Sequence, residues 1–300
     1  MITAKSLGAL ITAMITPFDA KGAVDLPQMQ AFAERQIAGG VDTLLVCGTT
    51  GESPTVCYED KLALFKAVCE VAVPRQVAVI ANVGDNSTAD TVAFAKRAVK
   101  TGVDALMCVV PYYNKPPQEG LYRHFKAIAQ AVPETAIVLY NIPGRSVINM
   151  EAMTTLRLAR DCPNIVAIKE ASGKLDQIKQ IIEGAPADFR VFSGEDSDTL
   201  EIMRMGGAGV ISTASNVAPQ EMRTLVDSCA AADWPAATTQ HERLLPLMKG
   251  LFVAPNPIMV KAALALSGFP VGGLRLPLIE ADSEQRAELS QIMAKLGLLA

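Results

Sequence analysis

Histidine is almost missing from this chain, with two in 300 residues, so a metal centre built on imidazole ligands is not expected. No C-x-x-C pair occurs either. The six cysteines stand at 47, 57, 69, 108, 162 and 229, and Cys47 and Cys108 sit inside apolar runs. This usage fits a reduced, cytoplasmic protein in which cysteine serves as a small hydrophobe. No apolar run approaches the length of a membrane span. Neither sign of charge dominates: 27 Lys and Arg face 31 Asp and Glu, which argues against a nucleic-acid footprint. A secretion signal is not read. Lys5 precedes an apolar stretch at 7–15, but Pro17-Phe18-Asp19 intervenes where a small-residue cleavage site is needed, so the stretch reads as a first strand.

What is present is apolar bulk in a repeating order. Half of the residues are hydrophobic, enough for a large core. Eight short β-like runs lie at 9–16, 43–47, 77–83, 105–110, 136–141, 165–170, 190–193 and 209–212, each separated by a helix-like stretch. Leu62, Phe65, Val68 and Cys69 make one apolar stripe at helical spacing, and Leu121, Phe125, Ile128 and Ala129 make another. Ser87 with Asp90 three residues on resembles a helix start with a capping box. Eight such β-α units predict an α/β fold, a closed (β/α)8 TIM barrel over 1–230, rather than an open doubly wound sheet. After the eighth unit the strands stop. Asp233-Trp234-Pro235 and Asn256-Pro257 each look like an N-cap followed by proline at the first helical position. Helices over 236–251, 258–267 and 283–296 then form a C-terminal three-helix appendage, 231–300, packed on the barrel, with Trp234 at the joint.

The sixth run, Ile165-Val166-Ala167-Ile168-Lys169-Glu170, ends on a lysine. Side chains alternate faces along a strand, so Ile165, Ala167 and Lys169 share one face and Val166, Ile168 and Glu170 the other. With the second face on a helix, Lys169 points into the barrel. Burial disfavours the charged ammonium, and a neutral amine is a nucleophile for carbonyl carbon. Taken alone, a lysine that ends a strand by reaching into water is the commoner case.

Barrel chemistry sits at the C-terminal ends of the strands. Strand 2 ends in Gly48-Thr49-Thr50-Gly51-Glu52-Ser53, where two glycines bracket two hydroxyls; such a turn exposes N–H groups to an anion or is simply polar. Strand 4 ends in a proline-stiffened loop with Tyr112-Tyr113. Strand 5 ends in Tyr140-Asn141-Ile142-Pro143-Gly144-Arg145. Tyr140 shares a face with Ala136 and Val138 and lies on the strand next to Lys169, and Arg145 is suited to gripping a carboxylate as a fork. Strand 7 ends in Ser193-Gly194-Glu195-Asp196, and glycines 206, 207 and 209 surround the start of strand 8. No Lys or Arg just after strand 8 supports a phosphate there.

Read together, Gly48-Thr49-Thr50-Gly51-Glu52, Tyr140-Asn141-Ile142-Pro143-Gly144-Arg145 and Ile168-Lys169-Glu170-Ala171-Ser172-Gly173 resemble the Schiff-base lyase and synthase superfamily of N-acetylneuraminate lyase and dihydrodipicolinate synthase. The likeness covers essentially the whole chain. The double threonine after Gly48, the Tyr112-Tyr113 pair and Arg145 resemble the dihydrodipicolinate synthase branch. The resemblance implies a lyase that condenses pyruvate with aspartate semialdehyde on the route to diaminopimelate and lysine, without metal or organic cofactor. It implies that Lys169 forms an imine with pyruvate and that Tyr140 shuttles protons. Thr49 would link Tyr140 to Tyr113 of a neighbouring subunit, and Thr50 would hold the pyruvate carboxylate. Arg145 would guide the aldehyde's carboxylate, and Gly194 and Ile211 would face substrate with their backbone. A homo-oligomer, a tetramer built as a dimer of dimers, follows from the shared tyrosine.

Lysine-sensitive members carry a feedback site at a subunit interface. The matching positions here are Ser53, Tyr58, Lys61, Asn86, Asp90 and Tyr112. Tyr58 and Lys61 depart from the histidines of some lysine-sensitive members, and a cation at Lys61 would oppose a cationic effector, so weak or absent inhibition is expected. The competing functions are an aldolase of the same superfamily with another 2-oxo acid and aldehyde, and a non-catalytic barrel that binds a small acid. His124, beside a helix stripe, reads as a packing residue, and His241 as solvated. Lys261, on a helix, ranks far below Lys169 as a nucleophile.

Overall fold

Short aliphatic runs buried on both faces make each strand of the sheet. The computed structural model describes residues 7–299, so Lys5 lies outside the described residues. The strands are β1 (Leu10–Ala13), β2 (Thr43–Val46), β3 (Ala78–Asn82), β4 (Ala105–Val109), β5 (Ala136–Asn141), β6 (Ile165–Glu170), β7 (Arg190–Ser193) and β8 (Gly209–Ser212). They pair in parallel and in chain order, and β1 closes on β8. The fold is therefore the anticipated eight-stranded TIM barrel. Strand β1 stops earlier than predicted. The Ile15 amide donates to Asn216 Oδ1 (3.1 Å) and the Thr16 hydroxyl to the Gly51 carbonyl (2.7 Å), so both leave the ladder.

The outer ring is α1 (Leu26–Ala38), α2 (Tyr58–Ala72), α3 (Thr88–Ala98), α4 (Gln118–Ala131), the single turn α5 (Pro143–Ser146), α6 (Ala152–Asp161), α7 (Leu175–Gly184), α8 (Thr199–Arg204) and α9 (Pro219–Ala230). The predicted stripes face inward: Phe65 and Val68 on α2, and Leu121, Phe125 and Ile128 on α4, are fully or almost fully buried. Ser87 caps α3 by accepting from the Asp90 amide.

Two apolar layers result. The barrel interior is filled by residues such as Ile11, Leu45, Ile80, Met107, Val138 and Phe192. The outward faces of the strands pack on the helices in a larger second layer. Strand β6 carries an irregularity. Ile137 pairs with Ile165, yet Val138 pairs with Ala167, so β6 holds one extra residue. Strict alternation therefore fails at Ile165, which lies in the outer layer, and holds from Ala167 onward. The reset leaves Ala167 and Lys169 inward, beside Val138 and Tyr140 of β5.

The appendage is α10 (Trp234–Gly250), α11 (Ile258–Leu266) and α12 (Ser283–Leu296). Asp233 caps α10, accepting from the Ala236 amide at 3.1 Å. Trp234 is partly buried against the outer layer, with the Arg204 guanidinium 5.4 Å from its ring centre. The predicted Asn256 cap does not form. Pro257, after a cis peptide bond, occupies the N-cap position of α11, and the Asn256 side chain turns toward β2 instead.

Candidate active site

Lys169, the last residue but one of β6, has only 5 % of its surface exposed and lies beside its register partner Tyr140. Its Nζ lies 4.6 Å from the centre of the Tyr140 ring. No carboxylate is within ion-pair distance of it among the described residues. Burial brings its pKa down from 10.5 to about 8, with Glu195 and Asp196 opposing and Arg145 assisting. Burial pushes the Tyr140 phenol up to about 12, against a hydrogen bond with Thr49 and the charge of Arg145. The pair is thus a neutral phenol beside an amine that loses its proton near pH 8. On the opposite face Glu170 fixes the strand end. It accepts from Asn141 Nδ2 (3.1 Å), the Ser172 amide (2.9 Å) and Gln177 Nε2 (3.2 Å), which locks β5 and β6 together under the site.

The loop after β2 carries Thr49 and Thr50. The amides of Gly51 and Glu52 turn back on Gly48 and Thr49 (3.1 Å each), and that of Ser53 on Gly48. These three N–H groups are consumed by the turn, so of the two readings offered for these glycines the amides of residues 51–53 fit the polar turn. The Thr49 and Thr50 amides make no such bond among the described residues. Cys47 and Glu52 bracket the turn at φ of 57° and 53°, left-handed conformations that side chains other than glycine seldom adopt. The appendage holds this strained loop from behind. Glu52 Oε1 pairs with Lys261 Nζ at 2.6 Å, both fully buried, and Glu52 Oε2 accepts from the Arg275 amide at 3.0 Å. Asn256 Nδ2 donates to Thr50 Oγ1 (2.9 Å), and Arg145 Nη2 reaches the Asn256 carbonyl (3.5 Å).

These elements enclose a chamber of about 540 Å³ lined by Thr49, Thr50, Tyr140, Arg145, Lys169 and Glu195, with residues 252–256 as its outer wall. Gly194 also lines it. A Cβ there would stand 2.6 Å from that of Ala171, so the close approach of β7 to β6 requires glycine. Ile211 is fully buried in the barrel interior; near β8 the wall is formed by Thr213. Glu195 and Asn256 line the chamber without having had a role there in the sequence reading. Glu195 was visible only as one of two adjacent acids, and nothing local tells which one faces the cavity. Asn256 was read as a helix cap.

A second cavity of about 630 Å³ adjoins the chamber and shares Thr49, Tyr140 and Arg145 with it. Ser53, Tyr58, Lys61 and Tyr112 line it, but Asn86 and Asp90 do not; the acids in its wall are Glu59 and Asp85, and Asp85 accepts from the Tyr58 hydroxyl at 3.3 Å. Asp90 lies exposed on the first turn of α3, and the Asn86 carbonyl accepts from Asn114 Nδ2. Lys61 is 9 % exposed and lies 5.5 Å and 5.8 Å from the ring centres of Tyr58 and Phe94; burial lowers its pKa. Tyr113 is 86 % exposed at φ 72° and lines neither cavity. A larger open depression along α6 and α7 lies away from all of these groups. His124 is buried, its Nδ1 2.9 Å from Thr88 Oγ1, and burial takes its pKa down to about 4, as suits a packing residue. His241 is half-buried on α10, not fully solvated.

Among the described residues no cluster of three or more His, Cys, Asp or Glu is placed to hold a metal ion, and no helix is long and apolar enough to cross a membrane. Comparison with known proteins gives a consistent picture. A 4-hydroxy-tetrahydrodipicolinate synthase of Symbiobacterium thermophilum is 50 % identical over 294 residues, 98 % of this chain and 99 % of its own. The enzyme of the same name from Bacillus subtilis is 48 % identical, over 97 % of this chain and 100 % of its own. A crystal structure from Cyanidioschyzon merolae, of a dihydrodipicolinate synthase with lysine bound, superposes with a TM-score of 0.96 at 42 % identity, covering 98 % of this chain and 99 % of that one. Residues 6–296 match the sequence model of the dihydrodipicolinate synthetase family, and the chain belongs to that family.

Proposed function

We propose that the chain condenses pyruvate with L-aspartate 4-semialdehyde to 4-hydroxy-tetrahydrodipicolinate, as a lyase of the diaminopimelate and lysine route. The observation that carries this is Lys169: a buried, unpaired amine beside a phenol, in a chamber that also presents a carboxylate-binding guanidinium. The neutral amine attacks the keto carbon of pyruvate, and loss of water leaves an imine. The imine draws electrons, so a methyl proton leaves to give an enamine, whose carbon attacks the aldehyde. Tyr140 moves protons at the imine, assisted by Thr49. Thr50, with its free amide, holds the pyruvate carboxylate, and Arg145 holds that of the aldehyde. The backbone of Gly194 and Ile211 faces the bound substrate. No metal or organic cofactor takes part.

Tyr113 stands exposed on its loop and lines neither cavity of its own chain. A second copy supplies it, and the working form is a homo-oligomer, a tetramer made as a dimer of dimers. Six free cysteines suit the cytoplasm. The second cavity takes lysine poorly. Lys61 opposes a cation there, and Asn86 and Asp90 stand outside it.

The test is turnover of pyruvate with aspartate semialdehyde, coupled to the reductase that consumes the product, with borohydride trapping in parallel. Turnover and a pyruvate-sized mass added at Lys169 are expected. Trapping without turnover would indicate an aldolase for another aldehyde; no trapping would indicate a binding protein. Half-inhibition by sub-millimolar lysine would overturn the reading of the second cavity.

A further inference from the structure

Two acids follow Gly194, and the chain treats them oppositely. Asp196 is buried and fully occupied: it accepts from Ser212 Oγ (2.5 Å) and from the amides of Thr213 (3.0 Å) and Ala214 (2.8 Å), tying β7 to β8. Glu195 lines the chamber, and its carboxylate accepts no hydrogen bond and makes no ion pair among the described residues. A half-buried carboxylate without a partner is costly unless something arrives to meet it. Lys169 is a poor answer, since pairing would hold the amine charged and spoil it as a nucleophile. The chamber offers carboxylate donors in Arg145 and Thr50 and a further acceptor without a partner: Asn256 is nine-tenths buried, and its Oδ1 accepts nothing. Donors for a carboxylate and unmet acceptors in one small space match the head group of an α-amino acid.

We propose that Glu195 docks the ammonium of the amino-aldehyde substrate while Arg145 holds its carboxylate. This rests on the function proposed above and names the residue that selects an amino acid aldehyde over a plain one. It also supplies a route for one proton. Ring closure requires the substrate nitrogen to attack the imine carbon and expel Lys169. The ammonium gives one proton to the Glu195 carboxylate, and the freed amine attacks the protonated imine to form the new C–N bond. The new ring nitrogen passes a second proton to the Lys169 nitrogen, and its lone pair then expels Lys169 as an amine, leaving a ring iminium as the old C–N bond breaks. The Glu195 carboxylic acid returns the first proton to the freed Lys169 amine, so charge and protons balance. Burial and the neighbouring Asp196 raise the Glu195 pKa to about 7, a value at which a proton can be both taken and returned.

The experiment compares aspartate semialdehyde with the same aldehyde acid lacking the amino group, succinic semialdehyde. Pyruvate-loaded enzyme is mixed with each, and the disappearance of the pyruvate-sized adduct on Lys169 is followed by mass after borohydride. In Glu195→Gln the selectivity for the amino aldehyde, as a ratio of second-order rate constants, falls by about 10- to 100-fold, the size of one charge-assisted hydrogen bond. Glu195→Asp recovers part of that ratio. Because each enzyme is compared with itself, a general loss of folding or of Lys169 reactivity cancels. An unchanged ratio overturns the inference even if both rates fall. A wild-type enzyme that forms no pyruvate adduct would instead sink the function on which it rests.

Discussion

Two lysines are buried in this chain to nearly the same depth, and they live in opposite surroundings. Lys261, 3 % exposed, meets Glu52 at 2.6 Å and the Gly273 carbonyl at 2.8 Å, with the Phe18 ring 4.1 Å away. Burial lowers its pKa while Glu52 holds it up. Lys169, 5 % exposed, has the Tyr140 ring and open chamber around it and no carboxylate in contact. One is a charge neutralised by its partner, the other a charge left without one. Depth of burial is therefore not what makes an amine reactive. What matters is whether the surroundings compensate the proton it carries. The two are connected, since Lys261 anchors the Glu52 end of the loop whose other end presents Thr49 and Thr50 to Lys169.

The sharpest way to break the comparison is Lys169→Met. It should abolish the borohydride-trapped pyruvate adduct outright and still make the protein harder to unfold. With a folded pKa of about 8 against an unfolded value near 10.5, the native state binds fewer protons than the unfolded one between those pH values. The penalty is therefore fully present below about pH 8 and fades as pH rises toward 10.5. At pH 7 its removal amounts to about 3 kcal/mol. Urea midpoints at fixed protein concentration, at pH 7 and pH 9.5, measure it. Equal midpoints for variant and wild type at pH 7 would mean that Lys169 is solvated or paired after all.

Lys261→Met should do the reverse. It strands the Glu52 carboxylate, 2 % exposed, without its cation, and losing one partner of a buried pair typically costs about 3–5 kcal/mol. Lys169 keeps its surroundings, so the folded fraction should still form the pyruvate adduct. Replacing Glu52 by Gln in the same chain should recover much of the loss, and a double-mutant cycle in urea measures the coupling. No loss in the single variant would show that the ion pair is not what braces the loop.

The contrast between these lysines was only half legible in the sequence. Eight aliphatic runs, each followed by a helical stripe, sufficed for the barrel, because period-2 and period-3.6 patterns are local properties. Lys169 was placed inward by counting along β6, and the count survived only because the bulge lies before Ala167. Lys261 was ranked low for sitting on a helix, but its partner Glu52 lies 209 residues away and no local pattern announces it. Asn256 failed for the same reason. Asn followed by Pro is a local cap signal, and the bond to Thr50 that overrides it spans 206 residues. Glu195 and Asp196 differ only in which way the chain turns after β7.

The finest distinction is in pH dependence. If Lys169 acts as a neutral amine, the rate of pyruvate imine formation should climb with pH and level off above about 8, with about fiftyfold as the upper bound on its fall from pH 8 to pH 6. Protonating Glu195, whose pKa is about 7, removes one of the charges that keep Lys169 protonated, so the fall below pH 7 should be shallower than tenfold per unit. Lys261 has no part in this profile. Conservative replacement of its partner, Glu52→Gln, should leave the midpoint near 8 even where it lowers the plateau. Stopped-flow trapping across pH 6–9 reads both. A midpoint near the ordinary lysine value would place a compensating charge beside Lys169 and erase the difference between the two amines.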